Sequence, residues 1–564
     1  MLVVIKRQRE EMRMDSLLSI SRMFAEAEEL QCHHDARLLL IRDVEGSAFH
    51  ELGKKLCHLG YTCFAKHREG EVLFATYVLD NEILNISYTP FERILRVIRD
   101  EGTALPPNGG NGDCVEVASL VTQIHQRYWE HDCGMTYLIR LGDGRFAIID
   151  GGMAEPGETE HLLELLREQN VLGSVPRIAV WFFTHAHIDH FNLFIKLMES
   201  YRDEVELESI CYSWLAPEKS KGFSRLDEFE QTVSRLMEEE NPPKLIRPRT
   251  GQRFIYPGVI FDVLFTCEDL YPADVPNLND SSLVMRMTAG EHRVFWGGDM
   301  QGQTAAYMTQ KYPGEVFRCD ILQVPHHGYW GASDAVYEKI DPEILLWPCP
   351  GFRYPEILYW DCNRFFAESP NIRCTYVAGI EETTLDMTKP VPVIPHFEPK
   401  GNILYEEDFR GKDACSVFWD CIRGKSQVYY KSYDISFPKD GGCRLSAGED
   451  LCVCEWAHTL RMENAPDYRL TFSGRAEGPC GKVGLFWNYD TPRIWDEEKM
   501  LTIPMAEGTF TVELKTDSTA GKAWLFYNGE PAAEVEYVPA RWRSICLVMR
   551  KGSIVVNHIV ITKG

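Results

Sequence analysis

The sequence predicts a multidomain chain with a layered α/β domain at its centre, preceded by a small α+β domain and followed by a β-sandwich. Three observations carry this reading. The chain has 564 residues, 45% of them hydrophobic, which exceeds the size at which one core stops growing, so several domains are expected. Between about 113 and 390, buried-type strand patterns alternate with amphipathic helix patterns, as in stacked layers of sheet and helix. Past the run Pro390-Val391-Pro392-Val393-Ile394-Pro395, helical periodicity disappears and short strands between Gly, Asn, Asp and Pro turns continue to residue 564.

Residues 1–110 read as the small α+β domain. Helical patterns lie near Leu17 to Leu30 and Ala48 to Leu59, strands at Tyr61 to Ala65, Val72 to Val78 and Ile83 to Tyr88, and a further helix at Phe91 to Arg99. The turn-rich stretch Leu105-Pro106-Pro107-Asn108-Gly109-Gly110-Asn111-Gly112 marks the first boundary. His33 and His34 are adjacent, so in a helix they point about 100° apart and read as surface residues.

The central domain, 113–390, opens with a hairpin of Met135 to Leu141 and Arg145 to Asp150 across Gly142-Asp143-Gly144. Glu158 to Gln169 has helical spacing, Arg177 to Phe183 is a fully apolar strand, and Phe191 to Tyr201 is a helix. Strands follow at Val259 to Phe265, Ser282 to Met287, Arg293 to Trp296, Ile321 to Val324 and Ile344 to Trp347, with a helix at Ala335 to Lys339. In the third domain, 399–564, strands fall at Gln427 to Ile435, Tyr468 to Ser473, Lys482 to Trp487, Thr509 to Leu514, Lys522 to Tyr527, Ser544 to Met549 and Ile554 to Ile561. So many short strands imply a β-sandwich.

Composition narrows the partners. The chain carries 84 acidic against 59 basic side chains, a net −25, which repels phosphate backbones at long range and argues against coating nucleic acid. Residues 401–564 hold 20 basic and 23 acidic side chains, so about −22 of the charge lies in the first 400 residues. Bound dications can still reverse the potential inside a single cleft, so an anionic substrate remains compatible. The N-terminal MLVVIKRQREEMRMD is too charged for a secretory signal, and no run approaches the roughly 18 apolar residues of a bilayer span. A cytoplasmic protein without a membrane partner is expected. Its 18 cysteines never form a CxxC pair, which fits reduced thiols. Cys452 and Cys454 share one face of an apparent strand, as packing residues do.

The run Thr184-His185-Ala186-His187-Ile188-Asp189-His190 follows the buried strand and precedes a helix. A strand end is a rigid rim on which ligands can converge. His185 and His187, two apart in extended chain, point the same way and can hold one ion; Asp189 and His190 can hold a second or the attacking water.

This run resembles the HxHxDH motif of the metallo-β-lactamase superfamily at every specified position, and further motifs occur in that family's order. Phe146-Ala147-Ile148-Ile149-Asp150-Gly151-Gly152 matches the strand ending in a supporting aspartate, Val294-Phe295-Trp296-Gly297-Gly298-Asp299 the strand ending in GD, and Gln323-Val324-Pro325-His326-His327-Gly328 the late strand ending in histidine. The resemblance covers about 115 to 390. It implies an αββα sandwich, two divalent metal ions (zinc, with manganese or iron as alternatives), Asp299 bridging them, and metal ligation by His326 or His327 or both. Asp150 is then a supporting carboxylate outside the ligand set, although an Asp-Gly turn capping the strand explains it equally.

The NDSS run Asn279-Asp280-Ser281-Ser282, with GGD and HHG, is similar to the nuclease-like domain of the competence protein ComEC, although the usual HHGS departs here to Gly328-Tyr329. Many family members supply a third histidine to the first ion. Here the interval offers only His292, in the charged turn Glu291-His292-Arg293, and Asn279 or a water is expected to take that place.

The expected reaction is hydrolysis: two dications make hydroxide from water near neutral pH and polarise the oxygen it attacks. Asp189, His190 and His326 are the expected catalytic side chains, Asp189 orienting the nucleophile and a free histidine protonating the leaving group. Related diiron oxygen-reducing proteins put Glu at the second motif position, where this chain has His187. The ComEC-like cues imply a phosphodiester, and the acidic charge implies a small or single-stranded one. Amide, thioester or lactam hydrolysis is the alternative. A third reading takes the C-terminal sandwich, whose Asn402-Ile403-Leu404-Tyr405-Glu406-Glu407-Asp408-Phe409 is similar to the opening strand of lectin-like or laminin-G-like jelly rolls, as a carbohydrate-binding module with a structural metal site elsewhere. Trp456, Trp487, Trp495 and Trp524 would then stack on sugars, although tryptophan in a sandwich is usually core.

Overall fold

A computed structural model describes residues 16–33, 36–109, 117–125, 134–215, 225–350, 357–358, 360–369, 371–379, 382–390, 401–410, 423–424, 433–436, 438, 441–457, 466–488, 500–539 and 545–564. The chain divides into two compact units, one essentially Met1–Pro348 with Asp361–Asn371 and Glu382–Val391, the other dominated by Pro392–Gly564. Among the described residues no helix is long and apolar enough to cross a membrane.

The first unit begins with a 6-stranded antiparallel sheet, ordered Ala27–Gln31, Arg37–Ile41, Ile94–Glu101, Glu82–Thr89, Val72–Leu79, Thr62–Glu69. The helix Gly46–Leu59 packs Phe49, Leu52 and Leu56 against Leu39, Ile41, Ile86, Leu95 and Val97 on one face. The other face is buried too, and it carries Arg96, Asp100, Asn85 and Thr76. This corrects the helix expected at Phe91 to Arg99: Leu95 and Val97 alternate with Arg96 and Ile98 along a strand, and burial on both sides removes the contrast between an apolar and a polar face that marks a strand in sequence. The pattern expected as one helix from Leu17 to Leu30 is a short helix, Ser16–Ser21, followed by the strand Ala27–Gln31.

Two further sheets face each other. In the first, Lys244–Ile246, Ser209–Cys211, Arg177–Phe182 and Phe146–Ile149 are parallel neighbours, continued by the antiparallel strands Tyr137–Arg140, Leu120–Gln123 and Thr383–Asp386. In the second, Arg253–Tyr256, Val259–Phe265, Val284–Ala289 and His292–Trp296 run antiparallel, and Ile321–Gln323 and Ile344–Trp347 add in parallel. Rings fill the space between the sheets: Phe182 lies 5.1 Å from both Phe254 and Phe261, and Tyr137 lies 4.8 Å from Trp296. The helices Glu158–Gln169, Asn192–Ser200 and Leu226–Met237, together with Gly302–Lys311 and Asp334–Ile340, complete an αββα sandwich. The elements expected from the sequence recur because each carries its own period, whereas the helices Leu226–Met237 and Gly302–Lys311 and the strands Leu120–Gln123, Ser209–Cys211, Lys244–Ile246, Arg253–Tyr256 and Thr383–Asp386 were not among them.

In the second unit, Tyr468–Ala476 and Gly508–Asp517 alternate strictly between buried and exposed residues, the pattern of strands with one face on a core. That core includes Leu470, Phe472, Val512, Leu514, Leu547 and Ile559. The two strands expected at Ser544 to Met549 and Ile554 to Ile561 are one, Ile545–Lys563; Lys551 and Gly552, residues of turn type, take positive φ within the continuous strand and its partner shifts register there. Of the four tryptophans, Trp487 is buried and stacked on Tyr537 at 5.3 Å, Trp524 is half-buried, and the side chains of Trp456 and Trp495 lie outside the described residues, as do those of Cys452 and Cys454.

Candidate metal centre

The strands Phe146–Ile149, Arg177–Phe182, His292–Trp296 and Ile321–Gln323 deliver their C-terminal ends to one place. At the first, Asp150 adopts φ 58° and is fully buried. Its carboxylate accepts from the Thr184 backbone N at 2.7 Å and the Thr184 hydroxyl at 2.8 Å, and lies 2.8 Å from His190 Nδ1. A proton on Nδ1 in that bond leaves Nε2 as the atom presented to the site. Asp150 therefore orients His190 and Thr184, and it stands outside the clustered donor atoms.

Those atoms come from two groups sharing His190: His185, His190 and Asp299, and Asp189, His190 and His327, the atoms of each lying within 4.8 Å of one another. Asp299 Oδ2 is 3.2 Å from His190 Nε2, 3.6 Å from His327 Nε2 and 3.7 Å from His185 Nε2. Asp189 Oδ2 is 3.4 Å from His327 Nε2 and 3.6 Å from His190 Nε2. His187, expected in the metal set, lies outside both groups but beside the first, its Nδ1 2.9 Å from His185 Nε2.

Asp299 is aimed by its strand end. Its backbone N donates to Ser282 Oγ at 3.0 Å, and Gly298, at φ 52°, packs so tightly that a Cβ there would come 2.9 Å from Ser282 Cβ and 3.0 Å from Thr184 Cβ. Gln323, fully buried, accepts from Gly297 N at 2.9 Å and donates to Gly298 O at 3.1 Å, tying this turn to the next strand.

His326 and His327 both adopt left-handed φ, 51° and 54°, a region non-glycine residues enter rarely. The consequence is that consecutive side chains diverge. His327 Nδ1 lies 2.7 Å from Pro348 O, which takes its proton and leaves Nε2 toward the carboxylates. His326, expected in the metal set and as a catalytic histidine, is placed outside both donor groups. Its Nε2 lies 3.0 Å from the Asn279 side-chain amide and its Nδ1 2.7 Å from the Gln301 side-chain amide, so each ring nitrogen faces an amide and the neutral ring accepts from one of them. Asn279 thus meets His326 first. His292 lies at the opposite end of its strand from Asp299, 2.6 Å from Lys389 O.

Electrostatics describe a site built for cations. Burial, reinforced by His190, holds His185 well below the ordinary histidine range, and burial lowers His187, so both imidazoles are neutral. Burial also works against charging His190 and His327, but Asp299 with Asp150 and Asp189 for His190, and Asp299 with Asp189 for His327, outweigh it and hold both well above that range. Asp189 and Asp299 are held low against burial, mainly by His190. The two carboxylates therefore favour positive charge at their centre, borne by the protonated His190 and His327 rings when no ion is bound, so that a dication there would displace their Nε2 protons. The fit to dications is concrete: His190 Nε2, His327 Nε2 and Asp299 Oδ1 are buried without hydrogen-bond partners, and all belong to residues of the donor groups. Imidazole nitrogens with carboxylates are a donor set for zinc, manganese or iron. Thr184, Ser282, Gln301 and Gln323 had no role in the sequence reading; Thr184, Ser282 and Gln323 are polar residues at or beside a strand end and Gln301 precedes a helix, the one available signal.

A model described as the metallo-beta-lactamase superfamily matches residues 134–346. Among solved structures, the metallo-beta-lactamase fold protein YhfI from Bacillus subtilis is 16% identical, with 40% of this chain and 85% of that one covered at a TM-score of 0.26. A Bacillus subtilis protein of unknown function with a galectin-like fold is 15% identical over 29% of this chain and 97% of its own, TM-score 0.21. The diiron β-hydroxylase CmlA from Streptomyces venezuelae is 9% identical over 41% and 44%, TM-score 0.24. No curated protein matches the chain. Together with the four converging strand ends, three of which carry the clustered donors, the match over residues 134–346 makes this part of the chain a metallo-beta-lactamase superfamily domain.

Proposed function

We propose that this domain is a hydrolase that uses two divalent ions, zinc in the first instance, to cleave a phosphodiester of a small or single-stranded substrate. The observation that carries the reading is the convergence of partnerless buried donor atoms from three strand ends around Asp299. One ion would be held by His185 Nε2, His187 Nδ1 and Asp299, the other by Asp189, His190 Nε2, His327 Nε2 and Asp299. The chemistry dications supply at such a site is acidification of a water and polarisation of the oxygen it attacks. The chain's own residues do the rest. Asp150 and Pro348 O hold the protons of His190 and His327 on Nδ1, which keeps both Nε2 atoms available. Asp189, 21% exposed where Asp299 is 3%, is the carboxylate that can meet incoming substrate and orient the attacking water. Asn279, His326 and Gln301 form a polar surface for the substrate's remaining oxygens.

The NDSS, GGD and HHG runs support a ComEC-like phosphodiesterase, and the net −25 argues against long duplex DNA, which needs a basic track. Buried thiols at Cys32, Cys211, Cys267 and Cys319 support a cytoplasmic setting. For the sandwich, Trp524, half-buried with Nε1 donating to Glu534 Oε2 at 2.9 Å, is the described tryptophan that favours carbohydrate binding; a glycan array on the full chain tests it.

Metal analysis with a substrate screen tests the main reading. About two ions per chain are expected, with cleavage of bis(p-nitrophenyl) phosphate faster than of plasmid and only weakly salt-dependent. No metal after reconstitution with zinc or manganese would refute it, and cleavage of lactams or thioesters alone would redirect it to that alternative.

A further inference from the structure

The helix Gly302–Lys311 begins three residues after Asp299. Its start is bonded to the turn Leu278–Ser281: Asp280 Oδ1 accepts from Gln301 N at 3.1 Å and Thr304 N at 2.9 Å, and Thr304 Oγ1 donates to Asp280 O at 2.6 Å. The same turn carries Asn279 to His326, and Ser282 beside it accepts from Asp299 N. Turn and helix start thus form one hydrogen-bonded unit that locates Asp299 and His326.

The second half of this helix, whose ten residues span roughly 15 Å, is held by the N-terminal sheet, by its turn around Phe91 and Glu92, and by Asp269 of the central domain. The Tyr307 hydroxyl donates to Glu92 at 2.9 Å, its ring meets Phe91 at 5.7 Å, and Arg96 lies 6.0 Å over it. Arg96 donates to Glu92 at 2.7 and 2.8 Å and to Asp269 O at 2.9 Å. Lys311, 5% exposed, reaches Asp269 Oδ2 at 2.6 Å with the rings of Phe74, Tyr307 and Tyr312 within 6 Å of its ammonium group. Gly70 meets Pro313 so closely that a Cβ would lie 2.7 Å from it. Buried ion pairs contribute little net stability compared with apolar packing, because desolvation offsets their attraction; what they add is a particular geometry. Here that geometry is the placement of a helix whose other end carries the metal-site turn.

We propose that the contacts made by residues 70–96 serve the metal centre at a distance, with Tyr307 and Lys311 as positioning residues that hold Asp299 and the Asn279–His326 pair in place. The role rests on the metal-binding reading above. It gives the N-terminal sheet a task that its lack of chemical motifs does not reveal.

The test measures zinc affinity of the full chain by competition with a chromophoric chelator, alongside thermal unfolding, for wild type, Tyr307→Phe, Glu92→Gln, Lys311→Met and Lys311→Arg. Tyr307→Phe and Glu92→Gln should weaken zinc binding about threefold to tenfold, the size of coupling transmitted through packed elements. Lys311→Met should weaken it more, with partial rescue in Lys311→Arg, and bis(p-nitrophenyl) phosphate cleavage should lose kcat rather than gain KM. If Lys311→Met does not fold, the first two variants decide. Variants that melt lower yet bind zinc like wild type would make the contact purely structural and overturn the proposal alone. Wild type that takes up no zinc would overturn the metal reading, and the proposal with it.

Discussion

Asp299 and Asp100 are both carboxylates almost shut off from solvent, 2% and 3% exposed, yet they are partnered in opposite ways. Asp100 receives the Arg249 guanidinium on both oxygens, at 2.6 and 3.0 Å, and the Asn85 amide at 3.2 Å. Arg249 in turn bonds Glu268 and the Ser213 hydroxyl. Asp299 instead faces three imidazole nitrogens at 3.2 to 3.7 Å, and its Oδ1 has no hydrogen-bond partner. A planar fork of fixed charge closes a carboxylate's valences and locks one surface onto another. Imidazoles held in a ring around a carboxylate leave their lone pairs for a third party. Burial of charge therefore does not identify a functional site; the way the charge is closed does.

The sharpest way to break this contrast is Asp299→Ala. Losing the shared carboxylate should abolish tight binding of at least one ion and reduce turnover by about a thousandfold, roughly 4 kcal/mol of transition-state stabilisation. Steady-state kinetics with elemental analysis checks it, and full activity would place Asp299 in the structural class with Asp100.

Asp100→Ala should show the converse. Stripping Arg249 of its bidentate partner should cost about 3 kcal/mol of stability, equal with and without zinc in denaturation experiments, while turnover per folded molecule changes little. A loss that appears only with zinc present would mean that the two clusters are coupled.

A smaller effect sharpens the comparison within the metal site. Asp150→Asn keeps the shape but cannot hold the His190 proton in the same way, and should weaken metal affinity about tenfold to a hundredfold, as supporting groups of metal ligands do. Retention of wild-type affinity would reduce Asp150 to a strand cap.

Much of the central domain was legible because its information is local. Four candidate metal-site residues, His185, His187, Asp189 and His190, fall within six positions at the end of one apolar strand, and GGD and HHG each close a strand of recognisable period. The strand Ile94–Glu101 was misread because Arg96 and Asp100 are buried by partners, Asp269 and Arg249, that stand 173 and 149 residues away. No local pattern records such a pairing.

Residue identity and spacing by themselves determined the layered α/β centre, the sandwich that follows it, and the HxHxDH strand end with its accompanying aspartates. Tertiary structure decided which of two adjacent histidines joins the donors, because left-handed backbone at both sends His327 to Pro348 O and the carboxylates and His326 to two amides. It also decided that the N-terminal sheet grips the helix leading from Asp299. Contacts such as Glu92 to Tyr307 join residues 215 positions apart, and only folding brings such partners together.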